Sequence, residues 1–240
     1  MAEDTLFKSG DIQEDFVFNG RVARVFDDMI GRSVPFYRQV ILAAARILDR
    51  FLKDGDKVVD LGCATGTTLI ELARLLEHKS LFYTGIDNSA AMLDKARLKA
   101  DYTDGGNFEF IRQDITELNL VPDALILNYT LQFIRPLKRA DFVQHLFNQL
   151  RPGGVLILSE KTIQHDSLLN REFIDIYHDF KKEMGYSELE IAKKREALEN
   201  VLIPFSIAEN TALLEKAGFT PVTVFFQWFN FASLVAVKPQ

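Results

Sequence analysis

The chain has 240 residues, 48% hydrophobic and 26% charged, with a formal net charge of −6. That is the balance of one large soluble domain, or of one domain carrying an insertion. The acidic surface disfavours a protein that grips nucleic acid by itself, because phosphate neutralisation supplies most of such affinity. The single cysteine, Cys63, excludes an intrachain disulfide and a multi-cysteine metal site, and no metal is expected.

The opening MAEDTLFKSGDIQEDF is polar and acidic. It has neither the basic start nor the apolar centre of a signal peptide. No apolar run reaches the ~20 residues a membrane helix needs. A cytoplasmic protein without a membrane partner is therefore expected. Residues 1–40 or so form an arm outside the pattern that follows.

That pattern is an alternation. Strand-like runs DKVVDLG (56–62), LFYTGID (81–87), FEFIRQD (108–114), ALILNYT (124–130) and GVLILSE (154–160) are separated by helical stretches such as TTLIELARLLEH, SAAMLDKARLKA and LKRADFVQHLFNQL. Short apolar strands between amphipathic helices predict an α/β, doubly wound, mostly parallel sheet covered on both faces. After a helix opened by a capping box at Ser206 and Glu209 and closed at Gly218, PVTVFFQWF and FASLVAVK read as a hairpin on the sheet edge. Seven strands in one domain, 1–240, are expected.

A second segment outside the alternation, about 161–205, is a helical insertion. Within it SELEIAKKREALENVL (187–202) carries a capping box, Ser187 and Glu190, and a stop at Pro204. Ile191, Leu198 and Leu202 share one helical face, and Arg195 falls on the same stripe. An inward guanidinium needs an anion. Spacing alone favours a structural pair with Glu199 or another acid.

VVDLGCATG (58–66) is the most informative stretch. A strand ends in Asp60, and Gly62 and Gly66 frame a turn into a helix, permitting close approach of a ligand to backbone N–H groups. It is neither the dinucleotide fingerprint nor a phosphate-binding P-loop. Asp87, ending the second strand, is placed to accept from ribose hydroxyls, or with Asn88 to cap the next helix. Asp114 is placed to meet an adenine amino group, or to start a turn. Asn128 ends the fourth strand. Cys63 reads as a small packing residue, since no neighbouring histidine activates it.

In this order and spacing these residues resemble the class I S-adenosylmethionine (SAM)-dependent methyltransferase fold, which is Rossmann-like, over residues 55–160 and the final hairpin. A narrower resemblance runs almost end to end: DTLF, RVARVFDDMIGRSVPFY, DLGCATG, IDNSAAM, LNYTLQFI, LRPGGVLILSEK, HDFKKEMGYSELEIAKKR and WFNFASLVAVK are similar to the carboxy-S-adenosyl-L-methionine synthase family. Such an enzyme joins S-adenosyl-L-methionine to the carboxyl group of prephenate, releases carboxy-S-adenosyl-L-methionine and phenylpyruvate, and so supplies 5-oxyacetyl modification of wobble uridine in tRNA. The resemblance implies cofactor contacts at Tyr37, Gly62, Cys63, Ala64, Asp87, Asn88, Asp114, Ile115, Asn128 and Arg195. It gives Arg195 the ligand's new carboxylate as its anion and reverses the preference for Glu199. Tyr37 or His178 would be available as a base, and a base supplied by the substrate stays open. Arg21, Arg32, Lys161 and Arg195 are the cationic candidates for prephenate. A homodimer is expected. The competing readings are a conventional SAM-dependent methyltransferase acting on a small molecule or tRNA, and a non-catalytic SAM-binding protein.

Overall fold

The computed structural model describes residues 2–8, 16–103, 105–117 and 119–240. Residues 9–15 of the predicted arm and Leu118 of FIRQDITEL lie outside them. Eight helices and seven strands are defined: α1 (Gly20–Ser33), α2 (Tyr37–Phe51), β1 (Lys57–Leu61), α3 (Thr67–Leu75), β2 (Phe82–Asp87), α4 (Ala90–Asp101), β3 (Asn107–Arg112), β4 (Ala124–Asn128), α5 (Pro136–Gln149), β5 (Val155–Lys161), α6 (Ser167–Glu183), α7 (Glu188–Leu198), α8 (Ile207–Ala217), β6 (Val222–Trp228) and β7 (Phe231–Val237).

The strands form one sheet in the order β3-β2-β1-β4-β5-β7-β6. β1 to β5 run parallel, and β7 is antiparallel to both β5 and β6. The hairpin is thus appended at one edge, with β7 inside and β6 outermost. Side chains alternate across the pleat, so Val58, Ala124, Ile126, Val155 and Ile157 pack under α2 and α3, while Val59, Leu125, Leu127, Leu156 and Leu158 pack on α5 and α8. The near-continuous apolar strands are explained by this: both faces are dry. Both predicted capping boxes are present, and Gly218 closes α8 in the left-handed region.

Two boundaries differ from expectation. The arm does not end near residue 40, because α2 crosses that point and sends Ile41, Ala44, Ala45 and Leu48 into the core. α7 ends at Leu198, one turn short of the predicted helix. Its inward face is Glu190, Ile191, Lys194 and Ala197, so the buried cation is Lys194 and Arg195 is exposed. One residue is about 100° around a helix of 3.6 residues per turn. The docking face was chosen by polar partners: Lys194 Nζ donates to Ser33 Oγ at 2.7 Å and lies 3.9 Å from the buried carboxylate of Asp4, which also accepts from Tyr186 Oη at 2.6 Å. Asp4 belongs to the DTLF segment, so the start of the chain is part of the fold that holds α7.

Candidate active site at the carboxyl edge of the sheet

β3, β2, β1 and β4 are consecutive neighbours, so their carboxyl ends bring Asp114, Asp87, the 62–66 loop and Asn128 to one edge. In open α/β sheets the crevice beyond those ends is where ligands bind.

The loop is built by backbone geometry. Gly62, Ala64 and Gly66 all have positive φ, at 75°, 47° and 71°. The amides of Gly62 and Cys63 donate to the Ile86 carbonyl at 2.8 and 3.1 Å. Ala64 N–H donates to Asp87 Oδ2 at 2.9 Å, and Ser89 N–H to Asp87 Oδ1 at 2.8 Å. Asp87 therefore ties the loop to β2, and burial raises its pKa above the usual carboxylate range. The cap of α4 is Ser89, whose hydroxyl accepts from Met92 N–H, and not Asp87 or Asn88. Asn88 is exposed, with its carbonyl accepting from Arg112.

The reason for Gly62 is partly internal. A Cβ there would lie 2.6 Å from Thr130 Cγ2, so the approaching group is a side chain of the protein itself. Gly62→Ala is expected to lower stability by about 2–4 kcal/mol, from left-handed strain plus overpacking. Denaturant midpoints would measure it. The Gly62→Ala/Thr130→Ala double variant should recover only the overpacking part, and no recovery would mean that the clash is inconsequential. Cys63 is 6% exposed, burial pushes its thiol pKa far up, and its sulfur occupies the space beside Gly85, as expected of a packing residue.

α1 lies against the loop. Asp27 accepts from the hydroxyls of Thr65 and Thr67 at 2.5 and 3.0 Å and pairs with Lys95 and Lys99 at 2.9 and 3.1 Å. Although burial opposes it, Lys99, the threonine and Lys95 pull its pKa down to about 2. The start of α2 completes the wall: Tyr37 Oη lies 3.2 Å from Thr68 Oγ1, which accepts from Asn128 Nδ2 at 3.0 Å.

Asp60 Oδ1, Asn128 Oδ1 and Tyr129 Oη are buried without a hydrogen-bond partner among the described residues. Buried polar atoms left unpaired are costly, so three around one edge mark a place made for polar groups of a ligand. Asp60 is 2% exposed, and burial followed by repulsion from Asp87 pushes its pKa up to about 8. The sequence placed Asp60 at the strand end but gave it no role. Its signal is an acid inside an otherwise apolar strand.

The remaining predicted residues divide. Asp114 is exposed and its Oδ1 accepts from Thr116 N–H and Oγ1 at 2.9 and 2.7 Å, so it does start a turn, with Oδ2 left over. Ile115 packs on the core beneath that turn. Arg195 has no hydrogen bond or ion pair among the described residues, so the expected inward orientation is corrected and no pair with Glu199 forms. It borders a 280 Å³ cavity between α6 and α7 with His178, Asp175 and Asp179. Arg32 is occupied by Met184 O, Asp28 and the Tyr186 ring, which removes it as a free anion binder. Arg21 is exposed on α1. His178 is half-buried, and burial with Lys181, Lys161 and Arg195 lowers its pKa, which leaves it neutral at pH 7. A cleft of 840 Å³ lies at the opposite end of the sheet, by Leu81 and Asn107, and contains none of the predicted residues.

The profile of the methyltransferase domain family matches residues 52–218. Among solved structures, human N-acetylserotonin methyltransferase in complex with SAM superposes with a TM-score of 0.64 at 16% identity, over 92% of this chain and 56% of that one. Magnesium protoporphyrin IX methyltransferase from Synechocystis gives 0.63 at 19%, over 95% and 90%. These show the fold. The carboxy-S-adenosyl-L-methionine synthase of Desulfotalea psychrophila is 58% identical, covering 99% of this chain and 98% of its own. That of Nautilia profundicola is 49% identical over 98% and 100%. On this identity, spanning arm, sheet and insertion alike, the chain belongs to the carboxy-S-adenosyl-L-methionine synthase family.

Proposed function

We propose that the protein converts SAM and prephenate to carboxy-S-adenosyl-L-methionine and phenylpyruvate in the cytoplasm, and that its product serves the 5-oxyacetyl modification of wobble uridine in tRNA by another enzyme. One observation carries this reading. Similarity to the synthases covers 99% of the chain, and so extends well before residue 52 and after residue 218, beyond the segment that the general methyltransferase profile covers. Segments held in common outside the shared fold are where a distinct reaction would be encoded.

The polar edge suits SAM in detail. Asp87 keeps acceptor capacity for the ribose diol, Asp114 Oδ2 for an adenine amino group, and the unpartnered Asp60 carboxyl for the ammonium of the amino-acid end. Tyr37 and Asn128 close the site near the sulfonium. The sulfonium acidifies its methyl protons. Loss of one gives a ylide carbon that attacks the carbon dioxide given up by prephenate. As prephenate loses carbon dioxide and its ring hydroxyl, the ring becomes aromatic, and the methyl proton and hydroxide leave together as water. The balance needs no outside oxidant or metal. The protein's contribution is placement and exclusion of water.

Arg195, open to a ligand, receives the new carboxylate as a two-donor fork. A homodimer is proposed on the apolar surface around α6 and α7, where Leu168, Leu169 and Leu189 are exposed. Among the described residues no helix is long and apolar enough to cross a membrane.

The test is mass spectrometry of ligand released from freshly purified, denatured protein, followed by incubation with SAM and prephenate. A species one carboxyl unit heavier than SAM, and phenylpyruvate as co-product, are expected. Plain SAM with no phenylpyruvate would leave a conventional methyltransferase. Arg195→Ala should keep SAM affinity within about threefold and lose at least tenfold for the carboxylated form, the worth of one charged hydrogen bond. Equal loss for both would remove Arg195 from that role.

A further inference from the structure

Near the last residue of β5, away from the nucleoside residues, four cationic or basic side chains crowd together. Lys161 ends β5 on the carboxyl edge, beyond Ser159, which pairs with Asn128. Its ammonium lies 5.1 Å from the centre of the Tyr177 ring. Lys181 on α6 reaches the same ring at 4.4 Å and is only 5% exposed. Among the described residues, neither ammonium has a hydrogen bond or an ion pair. The charged groups that act on Lys181 are Lys161, Lys194 and Arg195, all of its own sign. His178 feels Lys181, Lys161 and Arg195, with Asp175 acting in the opposite sense. A buried ammonium is ordinarily paired with an acid; Lys181, buried, and Lys161, half-buried, face one ring without an acid and leave an excess of positive charge there.

The position connects this cluster to the site. The Tyr177 ring packs at 5.0 Å on Phe231, Phe231 at 6.1 Å on Tyr129, and Tyr129 at 6.3 Å on Tyr37. Tyr177 Oη is spent on the Ser33 carbonyl at 2.8 Å, so the ring is held in place and its hydroxyl is not offered to a ligand. One aromatic layer therefore separates the paired ammonium groups from the Tyr37–Thr68–Asn128 corner.

We propose that Lys161 and Lys181, mounted on the Tyr177 ring, are the seat for a carboxylate of the second substrate. This rests on the two-substrate reading above and names residues that the sequence did not select, apart from Lys161. The ligand class is a small organic acid with a ring. The two ammonium groups take its carboxylate, and the ring of Tyr177 takes its flat apolar part. The two cations are neutralised when the acid enters, which makes the seat complementary to a carboxylate and indifferent to SAM.

The experiment uses the full chain with Lys161→Met, Lys181→Met and Lys161→Arg, and Lys182→Met as control. Lys182 is exposed and already paired with Asp179 and Glu188. Phenylpyruvate formation is followed against prephenate concentration, and SAM affinity by calorimetry. Each Met variant is expected to raise KM for prephenate about tenfold or more while kcat falls by less than about threefold and SAM affinity holds. Lys161→Arg should restore most of KM, and the control should match the parent. Melting of ligand-free Lys181→Met should be no lower than the parent's, since an unpaired buried charge is removed. Unchanged KM overturns the proposal, and so does an equal loss of SAM affinity, which would give the cluster to the amino-acid carboxylate of SAM. If the parent forms no phenylpyruvate, the two-substrate reading fails. The seat is then judged by titrating the SAM-loaded parent with phenylpyruvate, whose binding must be present and must vanish in Lys181→Met.

Discussion

Asp87→Ala is expected to weaken SAM binding about 100-fold, or roughly 3 kcal/mol. An ionised carboxylate offers about four acceptor positions. Two are used by the amides of Ala64 and Ser89, which leaves two for a diol. Alanine removes both functions at once: the ligand loses its charged acceptor and the 62–66 loop loses its tie to β2. Asp87→Asn keeps one carbonyl acceptor and should fall between the two. Calorimetric titration with SAM measures the loss, and a melting curve on the same sample reports the loop. A change below threefold in affinity would mean that the ribose is held elsewhere.

Asp60 should make SAM binding release a proton. Its pKa is pushed up to about 8 in the folded chain by burial and by Asp87, against about 3.9 for a free aspartate. Between those values the folded state holds a proton that the unfolded state has lost. The contribution of Asp60 to unfolding free energy therefore falls as pH rises through that window. An arriving ammonium favours the ionised form and expels the proton. At pH 6.5, titrations in two buffers of different ionisation enthalpy should show about one proton released per site, and none from Asp60 in Asp60→Asn. The stability advantage of Asp60→Asn over the parent, without ligand, should grow from pH 4 to pH 8. Equal proton counts in parent and variant would place the ammonium away from Asp60.

The elements that sequence reading found share a property. β1 to β5, the closing hairpin and the capping boxes at Ser187 and Ser206 are each determined within a few residues, by apolar runs, period and cap chemistry. The site residues at strand ends follow from the same reading, because a parallel sheet carries every strand terminus to one edge. The placement of Asp87 and Asn128 at the carboxyl edge was legible for that reason. Asp114 was legible as a position, and the structure adds that half of its carboxylate closes a turn.

What failed to be legible depends on partners distant in the chain. Periodicity put Arg195 on the inward stripe of α7 with Ile191 and Leu198, whereas the folded chain turns Lys194 inward. Asp4, Ser33 and Tyr186 decided it, from as far as 190 positions away in sequence. The need for glycine at position 62 comes from Thr130, across the sheet. Asp60 and Lys181 read as ordinary charged residues until burial removes their solvent and their neighbours supply no opposite charge. Sequence alone determined the fold class, the sheet edge to which the candidate nucleoside residues are carried and the family. Tertiary structure alone decided which charges are buried and unpaired, because the cost of a charge depends on the dielectric and the partners around it, and both are assembled from remote segments.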